Sequence, residues 1–134
     1  MKPPMNTQEK VEYWLSLANS DLGTAKFLHS GRKYLYVCFM CQQVVEKALK
    51  AAIAKTGAFP PKTHDLLRLA RLAALVKLTQ DQEEFLNKLT PYNIEARYPS
   101  YKEEAWRSLN KRICKEYIIQ TEEMLKWIRE KLSH

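Results

Sequence analysis

Apolar residues return at steps of three and four along nearly the whole chain and nowhere alternate with polar ones, so helices must supply the buried faces. Val11, Trp14, Leu15, Ala18, Leu22 and Ala25 form one stripe, which predicts a first helix over Thr7–Ser30. Thr7 is its expected cap, Glu9 and Glu12 suit its positive end, and Gly31 stops it. A second helix is predicted over Lys33–Thr56, ended by Gly57 and the Pro60-Pro61 pair. Cys41, Val44, Val45, Ala48, Leu49 and Ala52 share one side of it. Gln42, Gln43, Glu46, Lys47 and Lys50 fall within an arc of about 140° on the other side. A third helix is expected over Thr63–Ala74, with Leu66, Leu69, Ala70 and Ala73 as its apolar stripe. The fourth runs over Thr79–Arg97, kinked or split at Pro91, and the last over Lys102–Leu132. Short connections between such helices imply antiparallel neighbours. The expected fold is therefore all-α: an up-and-down helical bundle of four to five helices in one domain, with residues 8–130 as its ordered core.

Composition narrows the functions open to such a bundle. The 134 residues hold only three glycines, at 23, 31 and 57, too scattered for a phosphate-cradling glycine loop. No apolar run approaches a membrane span, and the start of the chain lacks the apolar core of a signal peptide, so the expected location is cytoplasmic with no membrane partner. Three cysteines are too few for a disulfide scaffold, in keeping with a reducing compartment. The net charge is +7, and the window from Lys47 to Lys77 alone has seven basic residues against one acid, Asp65. A concentrated positive region of this kind is what attraction of phosphate requires; a solvated basic surface is the plain alternative.

Three constellations stand out as possible chemistry. Cys38-Phe39-Met40-Cys41 spells C-x-x-C, but it lies within an apolar helix and lacks a second ligand pair, so it is read as core. His64 follows Thr63 at a helix start, where it either bonds locally near the cap or holds an anion beside Lys62. Tyr92, Tyr98, Tyr101 and Trp106 surround Arg97. Such interleaving suits base stacking with phosphate contact, and equally a packed loop in which Arg97 pairs with Glu95 or Glu46.

Three segments in order resemble HEPN domains. Gln42-Gln43-Val44-Val45-Glu46-Lys47-Ala48-Leu49-Lys50-Ala51 is similar to their Q-x-x-E-K-x-x-K-A signature. Lys62-Thr63-His64-Asp65-Leu66 matches their K-T-H-D-L step, and Ala96-Arg97-Tyr98-Pro99 their A-R-Y-P step. The resemblance implies a bundle, often a homodimer, that acts with a minimal nucleotidyltransferase protein as a toxin–antitoxin pair or a two-subunit enzyme. It also implies an alternative, since many relatives are metal-independent ribonucleases with an Arg, four to six spacers, then His. Here Arg97 is followed at those distances by Lys102, Glu103 or Glu104. The literal match, Arg129 to His134, ends on the last residue. No catalytic residue is therefore assigned.

The reading that follows is a nucleotide- or RNA-binding module with no metal and no cofactor. Gln43, Glu46, Lys47, Lys50, Lys62, His64, Arg97, Tyr98 and Tyr101 are its candidate ligand-binding residues. Lys50 and Arg97 would contact phosphate, Tyr98 or Tyr101 would stack on a base, and Glu46 would orient Arg97 or a ribose hydroxyl. Two alternatives stand beside it: an endoribonuclease toxin, and a structural homodimeric bundle in which the polar arc is a brace.

Overall fold

The computed structural model describes residues 4–75, 77–95, 97–98 and 108–133. They form helices α1 (Thr7–Ser30), α2 (Tyr34–Lys55), α3 (Leu66–Ala73), α4 (Gln80–Leu89), the single turn α5 (Tyr92–Glu95) and α6 (Lys111–Leu132), with no strand among them. The fold is the all-α, up-and-down bundle expected, with five helices of eight residues or more among the described residues.

Local chemistry accounts for where each helix begins, and it moves several expected boundaries. The cap of α1 is Asn6 rather than Thr7: its side chain accepts from Glu9 N at 2.8 Å, and Glu9 Oε1 accepts from Asn6 N at 3.3 Å. These are the two halves of a capping box. Asp65, not Thr63, caps α3, and the Thr63 hydroxyl instead accepts from Asp65 N. Thr79 and Gln82 make a second capping box at α4. Pro91 divides the fourth predicted helix into α4 and α5, because proline has no N–H to continue the ladder. The last helix starts at Lys111 rather than Lys102, since Asn110 is extended and its side chain accepts from Ile113 N at 2.8 Å.

Between α1 and α2 the left-handed residue is Arg32 (φ 59°), not Gly31, and α3 ends on Ala74 at φ 48°. A non-glycine residue there crowds its Cβ against the carbonyl, at about 1–2 kcal/mol. Ala74→Gly is therefore expected to stabilise the fold by about 0.5–1 kcal/mol, after the added flexibility of the unfolded chain is subtracted. A thermal melt should move up by roughly 2–4 °C.

Helix α2 is the axis of the molecule. It packs most extensively on α1, then on α6 and α3, and both its apolar side and most of its polar arc are buried. Ala18 and Ala25 on α1 and Ala48 and Ala52 on α2 are fully or almost fully buried. Such small residues allow close approach of neighbouring helices. The largest fully buried side chains of the core include Leu35, Leu49, Leu66, Leu69, Leu86, Leu89, Ile118 and Ile128. All three cysteines are free and buried. The hydrogen bond to Cys114, followed by burial, holds the Cys38 thiol far above its ordinary range, and burial pushes Cys41 up to about 12. Cys38 and Cys41 therefore sit in the core as neutral thiols, as read for C-x-x-C. No helix among the described residues is long and apolar enough to cross a membrane.

Candidate functional site

The polar arc of α2 is a connected chain of hydrogen bonds. Gln42, Gln43 and Lys50 each lie three or four residues from Glu46 and Phe39 lies seven residues before it, which places them along one stripe. At its centre Glu46, only 4% exposed, uses both carboxylate oxygens. Its Oε1 accepts from Gln42 Nε2 at 3.0 Å and lies 2.8 Å from His64 Nδ1, and its Oε2 accepts from Lys50 Nζ at 3.1 Å. Burial alone would raise the pKa of Glu46, but the hydrogen bonds from Gln42 and His64 and the Lys50 charge outweigh it, leaving the pKa below its ordinary value. Glu46 is thus ionised at neutral pH and can only accept. His64 Nδ1 must then carry the proton, which leaves Nε2 at the outer edge of a ring whose side chain is 46% exposed.

Segments distant in sequence close the chain of bonds. Gln42 also donates to the backbone carbonyl of His64, which ties the α2–α3 connection to α2. Gln43 donates to Gln42 Oε1 at 2.7 Å and to Asn93 Oδ1 of α5 at 3.3 Å. Lys50, 9% exposed, places its ammonium 5.7 Å from the centre of the Trp14 ring on α1. This contact adds a cation–π attraction to the pairing with Glu46.

The candidate residues fall into an inner group and an outer group. Gln43, Glu46 and Lys50 belong to the chain of bonds. Lys47, at the edge of the arc, pairs with Asp21 of α1. Lys62 is exposed in the link before α3. Arg97 lays its guanidinium over the ring of Phe39 at 5.7 Å, on the same stripe as Glu46 but two turns away, roughly 10 Å along the axis. Phe39, not Glu46, is therefore what Arg97 rests on. Tyr98 follows it, 56% exposed. Tyr101, Trp106, His134 and the side chain of Glu95 lie outside the described residues.

Five participants were not among the candidates: Gln42, Phe39, Asn93, Trp14 and Asp21. Gln42 was discernible, because it shares the arc and stands one turn before Glu46. Nothing in the local pattern marks Asn93, Trp14 or Asp21 as partners of α2, since each belongs to another helix. Among the described residues no group of His, Cys, Asp and Glu is placed to hold a metal ion.

These features define a class: an all-α bundle around a central helix with a buried, fully bonded polar stripe. Residues 11–131 match the HEPN domain, and the chain belongs to that family. Two solved structures share the fold. TT1696 from Thermus thermophilus is 28% identical, aligned over 91% of this chain and 98% of that one, with a TM-score of 0.79. ST0689, an archaeal HEPN homologue, is 27% identical over 90% of this chain and 96% of that one, with a TM-score of 0.72. Comparison with curated proteins finds no match.

Proposed function

We propose that this HEPN domain is a nucleotide- or RNA-binding module, working as a homodimer beside a minimal nucleotidyltransferase in a toxin–antitoxin or two-subunit system. One observation carries the binding part. The inner charges of the stripe are neutralised within the protein, while Arg97, Tyr98 and the outer edge of His64 remain exposed next to it. In this reading Glu46 and Lys50 hold His64 and steady the stripe. Arg97 and Lys62 take phosphate, Tyr98 stacks on a base, and His64 Nε2 meets a ribose hydroxyl or phosphate oxygen.

Fluorescence anisotropy with a labelled single-stranded RNA tests it. Arg97→Ala should weaken binding several-fold and lower the slope of log affinity against log salt by about one. Tyr98→Ala should weaken it by about fivefold or more, through lost stacking. Both side chains are exposed, so helicity and melting should barely change. Unchanged affinity in the double variant removes the site.

The endoribonuclease alternative draws on the same dyad, in which a buried carboxylate meets Nδ1 of an imidazole whose side chain is 46% exposed. It requires metal-free RNA cleavage that disappears in His64→Asn. Binding without cleavage selects the module.

A further inference from the structure

A cavity of about 410 Å³ opens between α4 and α6, away from the α2 stripe. Helix α4 packs on α3 and α2 and meets α6 through Phe85 and Tyr117, whose ring centres are 6.3 Å apart. The floor is apolar: Phe85 and Met124 are buried and Trp127 is half-buried. Gln120, Glu123, Met124 and Trp127 stand at i, i+3, i+4 and i+7, so one face of α6 forms one wall. Asp81, in the first turn of α4, comes from the opposite wall.

The rim has the opposite sign to the molecule. In a chain of net charge +7, none of the described lining residues is basic and two, Asp81 and Glu123, are acids, although Lys131 lies close by over the Trp127 ring. Neither acid makes an ion pair among the described residues. Asp81 suits the positive start of α4, but Glu123 lies mid-helix, where no helix end calls for a carboxylate. Trp127 already accepts a cation, with Lys131 Nζ 5.9 Å from its ring centre. An apolar floor between two carboxylates from facing walls suits a ligand with a greasy middle and two positive ends.

We propose that this cavity binds a linear aliphatic diamine or polyamine, one ammonium on Asp81, another on Glu123, and the methylenes along Phe85, Met124 and Trp127. The site is separate from the α2 stripe and does not depend on that reading. By bridging α4 and α6 the ligand would also stabilise the folded chain in proportion to its occupancy.

Titration calorimetry and tryptophan fluorescence of the full chain, with cadaverine and spermidine as probes and pentanediol as the neutral control, test the proposal. Saturable binding of both amines is expected, with a fluorescence change that Trp127→Phe abolishes. Glu123→Gln should weaken binding roughly threefold to fivefold, and adding Asp81→Asn should bring the loss to about tenfold. Glu123→Gln alone suffices should the double variant fold poorly, because Glu123 is exposed and caps nothing. Equal binding of pentanediol, no saturation at millimolar amine, or full affinity in Glu123→Gln each overturns the proposal.

Discussion

Replacing Glu46 by alanine is expected to lower the unfolding free energy by about 3–5 kcal/mol, the largest effect of any single change in the polar stripe. The loss has little to do with volume. Lys50, 9% exposed, would lose its carboxylate partner, and Gln42 and His64 would lose their acceptor. Urea unfolding at neutral pH measures the change, and a loss below about 1 kcal/mol would show that the stripe is not a brace. The same carboxylate gives the protein an acid limb. Its folded pKa lies below its ordinary value, so its contribution is fully present above the ordinary carboxylate range and is lost as pH falls through the folded pKa. Stability of the parent protein should therefore decline on acidification below about pH 5, and Glu46→Gln should lack that component of the slope.

Leu69→Ala should cost about 2–5 kcal/mol. Leu69 is fully buried in α3, a helix of only eight residues, and with Leu66, Ala70 and Ala73 it forms the face that holds this element to the bundle. Leu66 shares its burial and donates its N–H to Thr90 Oγ1 at 3.2 Å, which links α3 to the end of α4. Urea unfolding gives the magnitude. Amide exchange should show α3 losing protection, because a short helix depends on packing rather than on its own propensity. A loss under about 1 kcal/mol would mean that the site collapses around the smaller side chain. His64 directly precedes the Asp65 cap of α3, so the packing of this helix also bears on where the imidazole sits.

Much of the fold was legible in one dimension. The stripe of Val11, Trp14, Leu15, Ala18, Leu22 and Ala25 predicted α1 over its observed span, and four of the six are buried, with Trp14 and Leu15 half-buried, although the cap is Asn6 and not Thr7. The two-sided pattern of α2 was equally plain, and every residue of its apolar side is buried. The errors fall at helix ends. Thr63 and Asp65 are both capping residues two positions apart, and spacing alone does not say which one turns the chain. The late start of α6 rests on Asn110 adopting an extended backbone inside a continuous apolar period. Periodicity is blind to a break that keeps the phase.

The candidate site divides along the same line. That Glu46, Lys47 and Lys50 share an arc follows from about 100° per residue and requires no coordinates. That the arc is mostly buried does not follow, and a polar arc on an isolated helix is a solvated face. Burial was decided by His64, 18 residues after Glu46, by Asn93, 50 residues after Gln43, and by the Trp14 ring on α1. Order along the chain determined the helices and which of their sides are apolar, because that information is local and repeats with the turn. Whether a charged group meets water or a partner depends on which distant segments pack over it. Only the assembled bundle shows Glu46 and Lys50 enclosed and Arg97 left exposed on Phe39.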